Sequence, residues 1–343
     1  MSAFAAALHT AARIAPLPVA AWMARGNAHY YATRDPFGVA GDFVTAPEIS
    51  QIFGELIGAW LVDQWRRLGA PAAALLVELG PGRGTLMADI RRVAAAAGWT
   101  PATVFVETSP VLAAAQARAV PDATVVASLD AVPRGVPLLL VANEFFDALP
   151  IRQFVRAGGG WHERVVGWAD GRFAAGLDPV DATAFIPPPL AAAPPGSVVE
   201  VSPAATAIAA EIGARLRDDG GAALIVDYGH AGPVTGDTLQ AVRGHAAADP
   251  FADPGEIDLT AHVDFTALAA ASGVAPWGPV GQGDFLRTLG IDARAAALTH
   301  ANPAAAGTIA AAVVRLTGEA AMGRLFKVMA LTRRDAPQPA GFA

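Results

Sequence analysis

Acids at the ends of short apolar runs are where this chain can do chemistry. The run Leu75-Leu76-Val77 ends in Glu78, after which Gly80, Gly82 and Gly84 alternate with Pro81 and Arg83 before a helical pattern opens at Thr85. Glycines let the backbone turn sharply and lie against a ligand that a Cβ would hold off. The helix that follows offers unpaired N–H groups and its positive dipole end. The G-x-G-x-G spacing differs from the dinucleotide pattern G-x-G-x-x-G, and a pyrophosphate-binding turn has no need of an acid two residues before the first glycine. Glu78, with Gly80, Pro81, Gly82, Gly84 and Thr85, therefore suits a zwitterionic cofactor such as S-adenosylmethionine, whose amino group Glu78 can take.

Glu107 closes a second run, Thr103 to Val106, and Thr108 follows it. A carboxylate there can accept both ribose hydroxyls of an adenosine, a demand that an NAD site shares. Leu129 and Asp130 come after the brief run Thr124–Val126, where an adenine edge docks. Asn143, Glu144 and Asp147 follow Pro137 to Ala142, with Phe145 and Phe146 between the acids. A methylsulfonium is already electrophilic, so transfer needs an aligned nucleophile more than a strong acid or base. Glu144 and Asp147, two acids in an aromatic setting at a strand end, are therefore candidates to orient the nucleophile that takes the methyl. The plainer alternative is two acids capping a turn. Tyr228 ends another run from Ala222, beside Asp227, and both are candidates to line the same crevice. His262 stands between Asp258 and Asp264, as a polar wall of the cleft or a hydrogen-bonded structural histidine. Without cysteine, an H-x-x-x-H pair or a G-x-S-x-G turn, no metal site or catalytic triad is expected.

The elements that must position these residues alternate. Strand-like runs end at Glu78, Glu107, Val126 and Ala142, and a helix over Thr85–Ala97 and one opened by Ser109-Pro110 separate them. That rhythm implies a parallel, doubly wound sheet with ligands at the carboxyl ends of its strands. Upstream, Thr45 and Glu48 have capping-box spacing, and Ile49, Ile52, Phe53, Leu56, Ile57, Trp60 and Leu61 recur at helical spacing. Gly54 and Gly58 lie one turn apart and permit close packing. Asp42, Phe43, Thr45 and Gln51 are candidates to wall the substrate cleft. Trp161 to Val166 and Trp168 to Phe173, around Asp170-Gly171, predict a hairpin. A Pro-rich loop over Pro187 to Pro195 precedes helices near 204–217, 264–271 and 284–317, and a closing strand from Leu325 to Thr332.

Composition narrows the partners. Net charge is −7 and the basic residues are scattered, with Lys327 the only lysine among 24 cationic side chains, so neither nucleic acid nor a membrane surface is expected. No apolar run reaches the length of a membrane-spanning helix. The first 34 residues contain no acid, a trait of transit peptides, yet Trp22, His29, Tyr30 and Tyr31 look like parts of a fold. The expected compartment is the cytoplasm.

Together these pieces resemble the MidA family of S-adenosylmethionine-dependent methyltransferases. The likeness rests on Gly41 to Gln51 with Phe53-Gly54-Glu55, on Glu78 to Thr85, on Val106 to Pro110 and on Asn143 to Pro150. Val226 to Gly229 and Asp258 to Phe265 extend it. The resemblance implies an α/β fold: a doubly wound, seven-stranded Rossmann-like class I methyltransferase core with N-terminal helices and an inserted hairpin-containing subdomain. The expected division is a helical segment over 1–70, core over 71–150, insertion over 151–200, remaining core over 201–335 and a flexible tail over 336–343. The resemblance also implies methylation of a protein arginine, with a respiratory complex I subunit as partner, since mitochondrial members act in that assembly. It leaves a homodimer open. The alternatives are an NAD-linked oxidoreductase and a non-catalytic assembly chaperone that retains cofactor binding.

Overall fold

The computed structural model describes residues 2–38 and 41–342. The chain divides into two compact units: Met1–Phe43, Asp147–Ala207 and His230–Leu268 form the first, and Val44–Phe146, Ile208–Gly229 and Ala269–Ala343 the second.

The second unit is built on seven strands: β1 (Leu75–Leu79), β2 (Ala102–Val106), β3 (Thr124–Val126), β4 (Leu138–Asn143), β5 (Gly221–His230), β6 (Ala275–Gly281) and β7 (Phe326–Thr332). They lie in the order 3-2-1-4-5-7-6, with β3, β2, β1, β4 and β5 parallel and β7 antiparallel to both β5 and β6. This is the expected doubly wound α/β sheet. Leu76, Val77, Leu139, Leu140, Val141, Leu224 and Val226 are fully buried, as side chains covered on both faces of a parallel sheet must be. The chain winds outward from β1 to β3 and returns at β4. The crevice outside the carboxyl ends of β1 and β4 is therefore the topological switch point where such sheets bind ligands.

Helices α1 (Gln51–Arg67) and α2 (Thr85–Ala96) pack on this sheet, and α3 (Pro110–Ala119) follows β2. The glycines of α1 do permit close packing. A Cβ on Gly54 would come within 2.6 Å of Asp89 Cβ, and one on Gly58 within 3.1 Å of Ile90 Cα. Ser109 caps α3 as its type predicts, its side chain accepting from Leu112 N at 3.2 Å.

The expected capping box does not form. Ser50 is extended, with φ −163° and ψ 138°, and splits the periodic stretch into Ala46–Ile49 and α1. Thr45 makes no side-chain capping bond, while the Glu48 carboxylate accepts from Thr85 Oγ1 at 2.5 Å and lies 3.9 Å from Arg83. A hydroxyl and a cation outcompete the weaker reach back to a backbone N–H. Ser50 caps α1 instead, accepting from Ile52 N at 3.2 Å.

The first unit contains helices Ala3–Ile14 and Val19–Thr33 and an antiparallel sheet built from Arg152–Ala157, Gly160–Ala169, Arg172–Asp181 and Val198–Val201. Asp170 and Gly171 join the long hairpin with φ of +51° and +77°, the left-handed pair that its tight turn demands. The strand before it runs unbroken through Gly167, where the sequence suggested two pieces, because Gly167 has no turn partner and pairs with Ala174. Trp22 and Tyr30 are fully buried and His29 stacks on Phe4 with centroids 4.1 Å apart, so the aromatic N-terminal residues are parts of the fold. Near the other end, Trp60 Nε1 donates to Ala340 O at 3.0 Å and Phe342 packs on Phe285. Ala343 lies outside the described residues.

Candidate active site

Parallel register sets the site. Leu79 pairs with Val106 on one side and Ala142 on the other, and Asn143 pairs with Val226. Gly80, Glu107, Asn143 and Glu144 therefore emerge side by side at the carboxyl edge of one sheet.

Glu78, on the last turn of pleat before that edge, is 3% exposed, and its Oε2 has no hydrogen-bond partner among the described residues. Burial pushes its carboxyl up to about 8. A buried carboxyl with an open oxygen is costly alone and well matched to a ligand ammonium, which brings both donors and the opposite charge. Gly80, Gly82 and Gly84 all take left-handed backbone, with φ of +58°, +53° and +82°. A Cβ on Gly80 would sit 2.8 Å from Phe145 Cδ2, and one on Gly84 3.2 Å from Ala119 Cβ. Pro81 is buried within the turn, and the Thr85 hydroxyl is committed to Glu48.

Glu107 is held by three donors. Its Oε1 accepts from Thr108 N at 2.8 Å and Ser109 N at 2.7 Å, and its Oε2 from Gln116 Nε2 at 3.0 Å. Burial raises its carboxyl above the usual range and these bonds oppose the shift. Gln116, which the sequence reading passed over, also donates to Gly82 O at 2.9 Å. Its signal was available: it follows Leu112 by one turn, so a polar amide stands in the buried stripe of α3. Leu129 is buried in a short turn after β3 and its neighbour Asp130 is exposed.

At the end of β4, Glu144 takes left-handed backbone with φ +51°, which costs a non-glycine residue roughly 1 kcal/mol. Its N–H donates to Val226 O at 2.9 Å, and its Oε1 accepts from Ala46 N at 3.1 Å and Asn143 Nδ2 at 3.2 Å. The buried Asn143 Oδ1 has no partner among the described residues. Phe145 and Phe146 meet edge to face with centroids 5.3 Å apart. Asp227 does not line a crevice. It is fully buried, and its two oxygens accept from Phe146 N at 3.0 Å and Tyr228 N at 2.9 Å, because the turn after β4 leaves an amide that β5 must satisfy. Tyr228 packs edge-on against Phe326, Thr45 is buried and Gln51 is exposed at the first position of α1.

The remaining expected residues belong to the first unit. Asp42 accepts from Tyr30 Oη at 2.5 Å and Gly244 N at 2.7 Å, and Phe43 meets Phe37 edge-on. Tyr31 Oη donates to Asp258 Oδ1 at 2.8 Å, and the Asp258 carboxyl is pushed up to about 7 by burial and then by Asp147. Asp147 is 6% exposed, and its carbonyl accepts from Ala261 N at 3.0 Å. His262 is half-buried, and burial followed by His230 holds its imidazole below the usual range. The cofactor candidates and Asn143 and Glu144 thus share one sheet edge, whereas the acceptor candidates are divided between the two units.

A sequence profile of the family described as "Putative S-adenosyl-L-methionine-dependent methyltransferase" matches residues 56–280. The chain is 39% identical to the protein arginine methyltransferase NDUFAF7 homolog, mitochondrial, of Drosophila melanogaster, over 92% of this chain and 81% of that one. It is 38% identical to protein arginine methyltransferase NDUFAF7, mitochondrial, of Danio rerio, over 86% and 78%. A Burkholderia thailandensis protein crystallised with S-adenosyl-homocysteine bound superposes with a TM-score of 0.85 at 28% identity, covering 99% of this chain and 94% of that chain. The open oxygen of Glu78 and the left-handed glycines fit such a cofactor. The cytoplasmic expectation is overturned, since the relatives carry mitochondrial names. A folded N-terminal segment reports on packing and carries no information about compartment. By profile and by identity across most of its length, the chain belongs to this family of S-adenosyl-L-methionine-dependent methyltransferases.

Proposed function

We propose that the chain methylates an arginine side chain of a protein, a subunit of respiratory complex I, and that Glu144 and Asp147 orient the guanidinium. The observation that carries this reading is the preorganised Glu144 carboxylate at the end of β4, fixed by Ala46 N and Asn143 Nδ2 at the switch point of the sheet. The names of the relatives support the arginine acceptor. The sequence resemblance supports the complex I partner.

S-adenosyl-L-methionine, when bound, supplies a methyl group on a positively charged sulfur. Glu78 takes the ammonium, the turn from Gly80 to Thr85 meets the carboxylate with its N–H groups, and Glu107 takes the ribose. Leu129 and Asp130 flank the adenine, and Asn143 borders the transferable methyl. Asp42, Phe43, Thr45, Gln51, Phe146, Tyr228 and His262 contact the acceptor protein. Carboxylates paired with the guanidinium localise electron density on the attacking nitrogen and take the proton it loses as the new bond forms.

The test is the Glu144→Gln and Asp147→Asn pair, with cofactor affinity and turnover on complex I subunits measured separately. Turnover falls at least about 100-fold in each, as removal of aligned charge predicts, while S-adenosyl-homocysteine affinity stays within about threefold. Unimpaired methylation in both variants removes these acids from the mechanism. Methyl label recovered on a residue other than arginine overturns the acceptor.

A further inference from the structure

We propose that Gln116 is a positioning residue that aims the open acceptor site of the Glu107 carboxylate at a ribose hydroxyl of the cofactor. This rests on the reading that Glu107 takes that ribose.

Gln116 is fully buried, and both hydrogens of its amide are committed, one to Gly82 O at 2.9 Å and one to Glu107 Oε2 at 3.0 Å. Both partners are acceptors, so the amide has one satisfiable orientation. Its own Oε1 is left buried without a partner among the described residues. A glutamine held in an apolar stripe with an unmatched acceptor is a poor choice for packing, where leucine or methionine leaves nothing unsatisfied. What it contributes is the pair of donors.

Counting lone pairs shows what those donors accomplish. A carboxylate has about four acceptor sites, two on each oxygen. Thr108 N and Ser109 N fill both on Glu107 Oε1, and Gln116 takes one on Oε2. The remaining site lies on the oxygen that Gln116 holds, so the hydroxyl contact falls there. The same amide donates to the Gly82 carbonyl. One side chain thereby couples the glycine turn to the ribose acid.

Calorimetric titration of wild type and Gln116→Met with S-adenosyl-homocysteine and with its 2′,3′-dideoxy analogue tests this. The substitution weakens S-adenosyl-homocysteine by about tenfold, the scale of one hydrogen bond to a charged group, and leaves the analogue within about twofold. Equal losses for both ligands, or no loss for either, overturn the proposal, since a merely structural role does not discriminate between hydroxyls. In Gln116→Glu the added carboxyl donates only when protonated, so its affinity relative to wild type recovers as pH falls from about 8 to about 6. A flat ratio also overturns the proposal. If Gln116→Met does not fold, the two-ligand comparison is made with Gln116→Glu. A wild type that fails to bind S-adenosyl-homocysteine overturns the cofactor reading itself, a result distinct from any of these.

Discussion

Glu78 is the residue whose chemistry depends most on being empty-handed. Its carboxyl lies at about 8, against about 4.5 in the unfolded chain, so between those values the folded protein binds more protons than the unfolded one. Stability of the unliganded protein is accordingly greatest below that window and falls as pH rises through it. The Asp258 carboxyl, pushed up to about 7, acts in the same direction. The difference between wild type and Glu78→Gln isolates the first contribution: thermal melts of the variant decline less between about pH 6 and 8. An ammonium ligand favours the ionised carboxyl, so binding near neutral pH releases a proton. Titrations in two buffers of different ionisation enthalpy should detect that release in wild type and not in Glu78→Gln, whose affinity falls by about tenfold or more. The placement of Glu78, Glu107 and the glycines at the ends of β1 and β2 was legible because each stands at a fixed offset from an apolar run. The polar Gln116 in a buried stripe was visible too, but its partners and those of Asp227 were not, since Gly82, Glu107 and Phe146 lie on other elements.

Elements were legible wherever local chemistry decided them. Ser109-Pro110 opens α3, Asp170-Gly171 turns the hairpin, and the helix after the glycine turn ends one residue from where its pattern stops. The stretch from Thr45 failed because Glu48 had a better partner in Thr85, far away in sequence and invisible to a capping rule. The contact of α1 on α2 offers a test at this scale. Gly54→Leu forces a side chain into the 2.6 Å approach to Asp89, and should destabilise the protein by about 1–3 kcal/mol in chemical unfolding, with Gly307→Ala, in open space at ordinary backbone angles, as the control. Equal stability of the Gly54→Leu protein would show that the helices separate at little cost.

At the scale of the whole molecule, the residues proposed to hold the nucleoside all belong to one compact unit. Ligand linkage can therefore be read without any acceptor. S-adenosyl-homocysteine at about 100 times its dissociation constant should add roughly 2.7 kcal/mol to the stability of the unit that binds it, a rise of several degrees in melting temperature. NAD at the same concentration should add nothing, because no dinucleotide spacing follows β1. A rise with NAD alone would return the oxidoreductase reading. The negative net charge fits an acceptor that presents arginine, and raising the salt should weaken encounter more than chemistry.

Spacing along the chain determined the alternating strands and helices, the left-handed turn after Glu78 and the acids at the strand ends, because these depend on residues within a turn or two of each other. Tertiary structure decided which of those acids are open and which are already satisfied. Asp227 spends both oxygens on backbone amides, Glu107 is steered by a glutamine from the next helix, and Glu78 keeps an oxygen without a partner. Burial and hydrogen-bond competition are properties of neighbours in space, and a linear pattern cannot encode which neighbours arrive.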